Sequence, residues 1–356
     1  MKQPTFVIKA GPQALARIRS EGIRQDQFRV MVGASGGPKW FILSGLDRYL
    51  ASEFFKGRQK PLHLLGSSVG GWRMAAHASA DPYKALTFFR DHYHHLRYEP
   101  KANARIVSQS SRDMIASFIG QEGAKRICSN PVFKLHLVTA GCRGWTGVEA
   151  KPLQLSGLFL AATANAMNRR WLSGFFHRSL FHVPDSDAPF LNLRDYPTER
   201  VPLTPNNLPK VLEATGAIPL VLEGVRGIEG SRHPVHRDGG IVDYHFDLPF
   251  APQTDDLVFY PHFYSKAVPG WFDKGLAWRR PKPEHYSNVV MIAPSPSLVA
   301  ELPYGKISDR KDFVELDDET RIRYWQKVID AGERLAEEFA ERLEHQRWDE
   351  VLVSGL

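Results

Sequence analysis

Three short stretches of this chain carry residue types that could break a carboxylic ester. Gly66-Ser67-Ser68-Val69-Gly70 has the GxSxG pattern, in which a serine between glycines can sit in a sharp turn with its hydroxyl pushed forward. Gly66 and Gly70 supply the room that such a turn needs. Earlier, Gly33-Ala34-Ser35-Gly36-Gly37-Pro38-Lys39 offers successive backbone amides suited to a developing oxyanion, with Gly36 and Gly37 the candidate donors. Much later, Arg237-Asp238-Gly239-Gly240 presents a carboxylate that could take the serine's proton and return it to a leaving group. Each stretch also has a plainer reading: a tight strand-to-helix turn, a glycine-rich helix entry, and an Asp-Gly turn.

The flanking residues predict the elements that hold these groups. FRVMVG (28–33) is an apolar run ending at the first glycine-rich turn, and the residues from Trp40 to Phe55 then have helical periodicity. PLHLLG (61–66) ends in SSVGG and continues as the helix-like WRMAAHASA, repeating the same unit. Two consecutive strand–turn–helix units point to a parallel α/β sheet with helices on both faces. A helix beginning near Val69 would aim its N-terminus at Ser68 and favour negative charge there.

Further along, 82–119 reads as helical with a break near Pro100, 134–142 as a buried strand, and 158–172 and 208–218 as helices flanking the aromatic segment SLFHV. Strands are expected at 256–260 and 288–294, and a long amphipathic helix from Glu319 to Trp348, with Ile322, Trp325, Ile329, Leu335, Phe339 and Leu343 on one stripe. The expected organisation is an α/β domain over 1–300 with a C-terminal helical extension, 301–356, packed on it.

At 356 residues, with 43% hydrophobic and 24% charged, the chain can bury a large core without disulfides or metal, and neither a fibrous nor a disordered class fits. Its two cysteines, Cys128 and Cys142, form no metal-ligand spacing and suit a reducing compartment. Neither a secretory signal nor a membrane-spanning stretch is evident, so a cytoplasmic location is expected, with the periphery of a membrane as the alternative. The net charge of +7 favours anionic partners, yet no zinc finger, RNP motif or basic zipper directs it to nucleic acid. The 33–39 loop is not a phosphate loop either, because Pro38 and Trp40 stand where GxxxxGK[ST] requires glycine and a hydroxyl.

The three stretches, in this order, resemble the patatin-like phospholipase family: a glycine-rich loop with a basic residue, then GxSxG, then a distant DG[GA]. The segment from Leu212 to Gly240, with Ala217-Ile218-Pro219 inside it, is also similar to that family's approach to its aspartate. The resemblance covers residues 28 to 245 in pieces. It implies a three-layer α/β/α fold and a Ser68–Asp238 dyad that hydrolyses esters, lipids among them, through an acyl-serine. It also implies that Gly36 and Gly37 form the oxyanion hole, that Lys39 steadies the loop, that Gly239 supports the aspartate, and that neither metal nor organic cofactor takes part. Two positions depart from the family pattern, with Ser35 and Trp40 where glycines are usual. Trp40 could narrow an acyl channel or pack in the core. A scaffold that binds lipid without turnover is the alternative these departures leave open.

Other groups compete for attention. His92, His94 and His95 lie close together, and His92 and His95 would share a helical face, but no nearby acidic or cysteine residue completes a metal-ligand set, so a solvated helix is expected. His233, His236 and His245 flank Asp238 and could turn a dyad into a triad. The aromatic and basic stretches 169–183 and 260–280 fit core and rim packing, with a lid or a surface that meets anionic lipid as the alternative.

Overall fold

Period-two burial marks the first strand, β1 (Phe6–Ala10), in a computed structural model that describes residues 3–99, 102–250 and 255–355. The apolar runs at 28–33 and 61–66 become β2 (Phe28–Gly33) and β3 (Leu62–Ser67), the latter buried along its whole length, as strands of a covered parallel sheet must be. β4 (Phe133–Cys142) is the longest strand among the described residues. After it come β5 (Phe176–His182), β6 (Thr198–Pro202), β7 (Val225–Arg226), β8 (Val235–Asp238), β9 (Leu257–Pro261), β10 (Val289–Pro294) and β11 (Leu352–Ser354).

The sheet order is β11-β1-β10-β9-β2-β3-β4-β5-β6, with β8 on β4 and β7 on β8. β10, β9, β2, β3 and β4 run parallel to one another, whereas β1 and β5 oppose their inner neighbours. This is an α/β fold with a mostly parallel central sheet and flanking helices. The Asp318–His345 helix packs on the Ser44–Tyr49 helix, backbone to backbone at one point: a Cβ on Gly45 would lie 2.6 Å from the Gly332 carbonyl.

Several elements differ from their expected form. The stretch after the first glycine turn is not one helix but a 3-10 segment (Gly37–Leu43), a short α-helix and a π turn (Leu50–Phe54). The helix expected at 158–172 begins at Lys151, where Pro152 occupies its first turn, and ends at Met167. SLFHV, except its last residue Val183, belongs to β5, whose buried Arg178 is ion-paired. Chain 301–356 adds a strand to the sheet edge, since β11 pairs parallel with β1. The expected break near Pro100 lies outside the described residues.

Register explains how two distant segments meet. β3 pairs with β4 only as far as Ser67 opposite Val138, leaving the last residues of β4 without a neighbour on that side. β8 fills the vacant lane in the opposite direction, with Asp238 opposite Thr139. The C-terminal ends of β3 and β8 therefore confront each other head-on, although 170 positions separate Ser68 from Asp238.

Candidate active site

Ser68 is the residue between the end of β3 and the Val69–His77 helix, and its backbone adopts φ 53°, ψ −135°, a conformation costly for any side-chain-bearing residue. Close packing holds it there. A Cβ on Gly70 would come within 1.9 Å of the Gly33 carbonyl oxygen, and one on Gly66 within 2.6 Å of the Gly70 carbonyl oxygen. Only glycine at both positions lets the helix N-terminus press against β2 and β3. The Ser68 amide donates to Thr215 Oγ1 at 2.9 Å, and Thr215 donates onward to the Val138 carbonyl at 2.6 Å.

Ser68 Oγ donates to Asp238 Oδ2 at 2.7 Å, and both residues are only 7% exposed. The other carboxylate oxygen, Oδ1, accepts the Gly240 amide at 2.7 Å, while the Asp238 amide donates to the Ala217 carbonyl at 3.0 Å. Burial pushes the Asp238 carboxyl up to about 6, against the opposing pull of its bonds from Ser68 and Gly240. Gly239 sits where β3, β4 and β8 converge, so a Cβ there would lie 2.1 Å from the Val138 carbonyl oxygen.

Gly36 and Gly37 line the same cavity as Ser68 and Asp238, with Gly37 in the left-handed region at φ 57°. Ser35 Oγ bonds Ser67 Oγ at 2.6 Å, and Ser67 donates to the Asp243 carbonyl at 2.8 Å. The serine standing in place of the usual glycine thus ties the amide-bearing loop to the segment that follows Asp238. Trp40 is fully buried and stacks on Phe89 with ring centroids 4.9 Å apart; it lines neither cavity beside Ser68. It is a core residue. Lys39 is half-buried and pairs with Asp309; burial and then Arg310 lower its ammonium to about 8.

Two cavities open from Ser68. One, of about 410 Å³, is ringed by cations: Lys39, Lys274, Arg310 and Lys311. The other, of about 760 Å³, is largely apolar, walled by Trp72, Phe89, Leu96, Met114, Phe313 and Leu316. Lys274 stands at the mouth of the first, its Nζ 3.9 Å from the centre of the Tyr244 ring. Although this side chain reaches solvent, desolvation by the cavity walls, then the charges of Lys39 and Arg310, bring it down to about 7. Arg310 carries no motif, whereas Lys274 lies in the aromatic and basic stretch 260–280 and Thr215 in the segment from Leu212 to Gly240, though neither stretch marks the individual residue.

The flanking histidines make no hydrogen bond to the Ser68–Asp238 pair among the described residues. His236 spends both ring nitrogens elsewhere, on Thr139 Oγ1 and Ser231 Oγ, each at 2.9 Å. His245 lines the cationic cavity, but its Nδ1 accepts the Val268 amide, and His233 lies against Gly141. None of the three hydrogen-bonds Ser68 or Asp238 among the described residues. His92, His94 and His95 diverge: His92 stacks on Phe88, His94 bonds the Ile322 carbonyl and His95 the Asp91 carbonyl. No group of ligating side chains able to hold a metal ion occurs among the described residues.

No protein-family model and no curated protein matches this chain. Among solved structures, the crystal structure of VipD from Legionella pneumophila is similar to it, with a TM-score of 0.35 and 10% identity over 95% of this chain and 71% of VipD. A likeness that low carries no argument about chemistry, which rests on the geometry just described.

Proposed function

We propose that this protein is a serine acyl hydrolase that cleaves carboxylic esters, lipids among them, through an acyl-Ser68 intermediate. The observation that carries the reading is the 2.7 Å bond from Ser68 Oγ to the buried carboxylate of Asp238, made at a strained turn between strand and helix. The resemblance of the three motifs to the patatin-like pattern supports it.

Asp238 would take the Ser68 proton as Oγ attacks the ester carbonyl, and the resulting oxyanion would face the Gly36 and Gly37 amides and the N-terminus of the Val69–His77 helix. On collapse the ester C–O bond breaks and Asp238 returns the proton to the departing alkoxide. Water, deprotonated by the same carboxylate, then attacks the acyl carbon, the acyl–Oγ bond breaks to free the acid, and Asp238 returns the proton to Ser68 Oγ. The apolar cavity suits an acyl chain, and the cationic one a leaving group bearing negative charge. Ser35 lines the cationic cavity with its hydroxyl bonded to Ser67, and Trp40, stacked on Phe89, lines neither cavity.

Treatment with a fluorophosphonate followed by peptide mass mapping tests the nucleophile. One adduct per chain, on Ser68, is expected. Labelling of a different residue, or an ester-cleaving protein that resists the reagent, sinks the proposal.

Acid titration tests the base. For a neutral ester, kcat/KM should fall about tenfold per pH unit below about 6, as Asp238 becomes protonated, and level off above. An ester with an anionic leaving group adds a second limb, declining above about 7 as Lys274 loses its proton. A flat profile for the neutral ester down to about pH 4 would remove Asp238 from the role of base.

A further inference from the structure

The Lys151–Met167 helix has an unusual outer surface. Its inner face, Gly157, Leu158, Ala161 and Asn165, packs against the smaller of the two hydrophobic clusters and the segment 271–279. Its outer face should then be charged, as surface helices of soluble domains usually are. Instead Leu153, Leu155, Phe159, Leu160 and Met167 point to solvent, Phe159 71% exposed and Met167 69%. No charged residue occurs between Lys151 and Arg169, and no acidic one between Glu149 and Asp185.

Three exposed tryptophans sit on segments beside this helix. Trp145 precedes Thr146, whose amide lies 3.1 Å from where a Gly157 Cβ would be; Trp171 follows the helix directly; and Trp278 adjoins Arg279, which donates to the Asn165 carbonyl. Lys151, Arg170, Lys274 and Arg280 stand at the ends and side of the face without an ion pair to any described residue. An uncharged apolar stripe bounded by tryptophans and unpaired cations is the pattern of a helix lying in a bilayer interface.

The face is also continuous with the candidate active site. Leu155, Leu158, Phe159, Leu220, Trp271 and Phe272 form an open apolar trough of about 500 Å³, and Trp271 and Lys274 belong both to that trough and to the cationic cavity at Ser68. Asp273, buried between them, binds Asn165 and Arg169 and so fixes the trough to the helix.

We infer that the outer face of the Lys151–Met167 helix, with its flanking tryptophans and cations, docks on an anionic phospholipid surface and sets the cavity mouth against it. No helix among the described residues is long and apolar enough to cross a membrane. Apolar insertion supplies the non-specific part of the affinity, and the unpaired cations select acidic lipid. The docking stands on this face alone and does not require Ser68 to be a nucleophile; the reading of the site adds only that lipid esters would enter from the same side.

Flotation of the intact protein with phosphatidylcholine vesicles, with and without phosphatidylglycerol, tests it. Binding to the mixed vesicles is expected, weakened about tenfold or more in pure phosphatidylcholine or in roughly molar salt. The double substitution Leu155→Asp and Phe159→Asp should lower binding to mixed vesicles at least about tenfold while leaving the melting temperature and hydrolysis of a short-chain soluble ester unchanged. Arg170→Glu with Arg280→Glu should remove the preference for phosphatidylglycerol. Absence of vesicle binding, or binding that survives the aspartates, overturns the inference. So does a dimer in sedimentation that the aspartates convert to monomer, because a second copy would then cover the face. Vesicle binding by a protein that no fluorophosphonate labels would keep the docking and discard the hydrolase; labelling without vesicle binding does the reverse.

Discussion

Asp238→Asn should abolish ester hydrolysis and make the protein more stable. The loss of rate, about a thousandfold or more, follows from removing the carboxylate bonded to Ser68, since an amide cannot accept the hydroxyl proton. The gain in stability follows from linkage. Asp238 has a folded-state pKa of about 6 against an ordinary value of 3.8, so the folded protein holds a proton that the unfolded chain gives up. Stability from this group is therefore complete below 3.8 and is lost as pH rises to about 6. Above that, a buried carboxylate costs on the order of 2–3 kcal/mol, which asparagine avoids. The substitution also fits sterically: the amide oxygen can keep the Gly240 N–H while its NH2 faces Ser68 Oγ. Melting curves at neutral pH should show a rise of several degrees, and at about pH 4, where the native carboxyl is already neutral, the two proteins should melt together. A variant that melts lower at neutral pH would mean that the carboxylate holds the loop more than it burdens it.

The sequence made one half of this arrangement legible and hid the other. β2 and β3 are apolar runs that stop at glycines, and the chemistry of those stops is local: Gly70 is needed where it packs on Gly33, and Ser68 follows directly from the turn. The position of Asp238 depended on something no motif encodes, namely that β4 outruns β3 and leaves a lane for β8. Strand β5 was hidden because FHRSLFH carries Arg178, His177 and His182, residues that lower any apolar pattern yet are accommodated once Arg178 finds Asp195 and Asp243. Lys274 and Arg310 come from loops far along the chain and reach the cavity only through the tertiary fold. Trp40 was visible as a departure, but its burial against Phe89 rather than in a channel depended on where the Pro82–His94 helix packs.

That dependence on β5 leads to the second large effect: Arg178→Met should destabilise the protein by about 3–5 kcal/mol and disable the site that it never touches. Arg178 is 2% exposed and binds Asp243 through Nε at 2.6 Å and Nη2 at 2.9 Å, while the same guanidinium grips Asp195 at 2.9 Å on its outer side. Methionine fills the volume but strands the fully buried Asp243 carboxylate without a counter-charge. The damage spreads because the Asp243 carbonyl accepts Ser67, Ser67 is bonded to Ser35, and the turn from Gly239 to Asp243 carries Asp238 into the lane above β3. Loosening Asp243 therefore loosens the amide loop and the proposed base together. Adding Asp243→Leu to Arg178→Met removes the stranded charge and should restore at least half of the lost stability, because an apolar pair can replace a buried ion pair where a single partner cannot. Urea unfolding midpoints of the single and double variants measure both steps. If the single variant loses less than about 1 kcal/mol, or the double variant is no better, this ion pair is not what holds the Asp238 loop against Ser68.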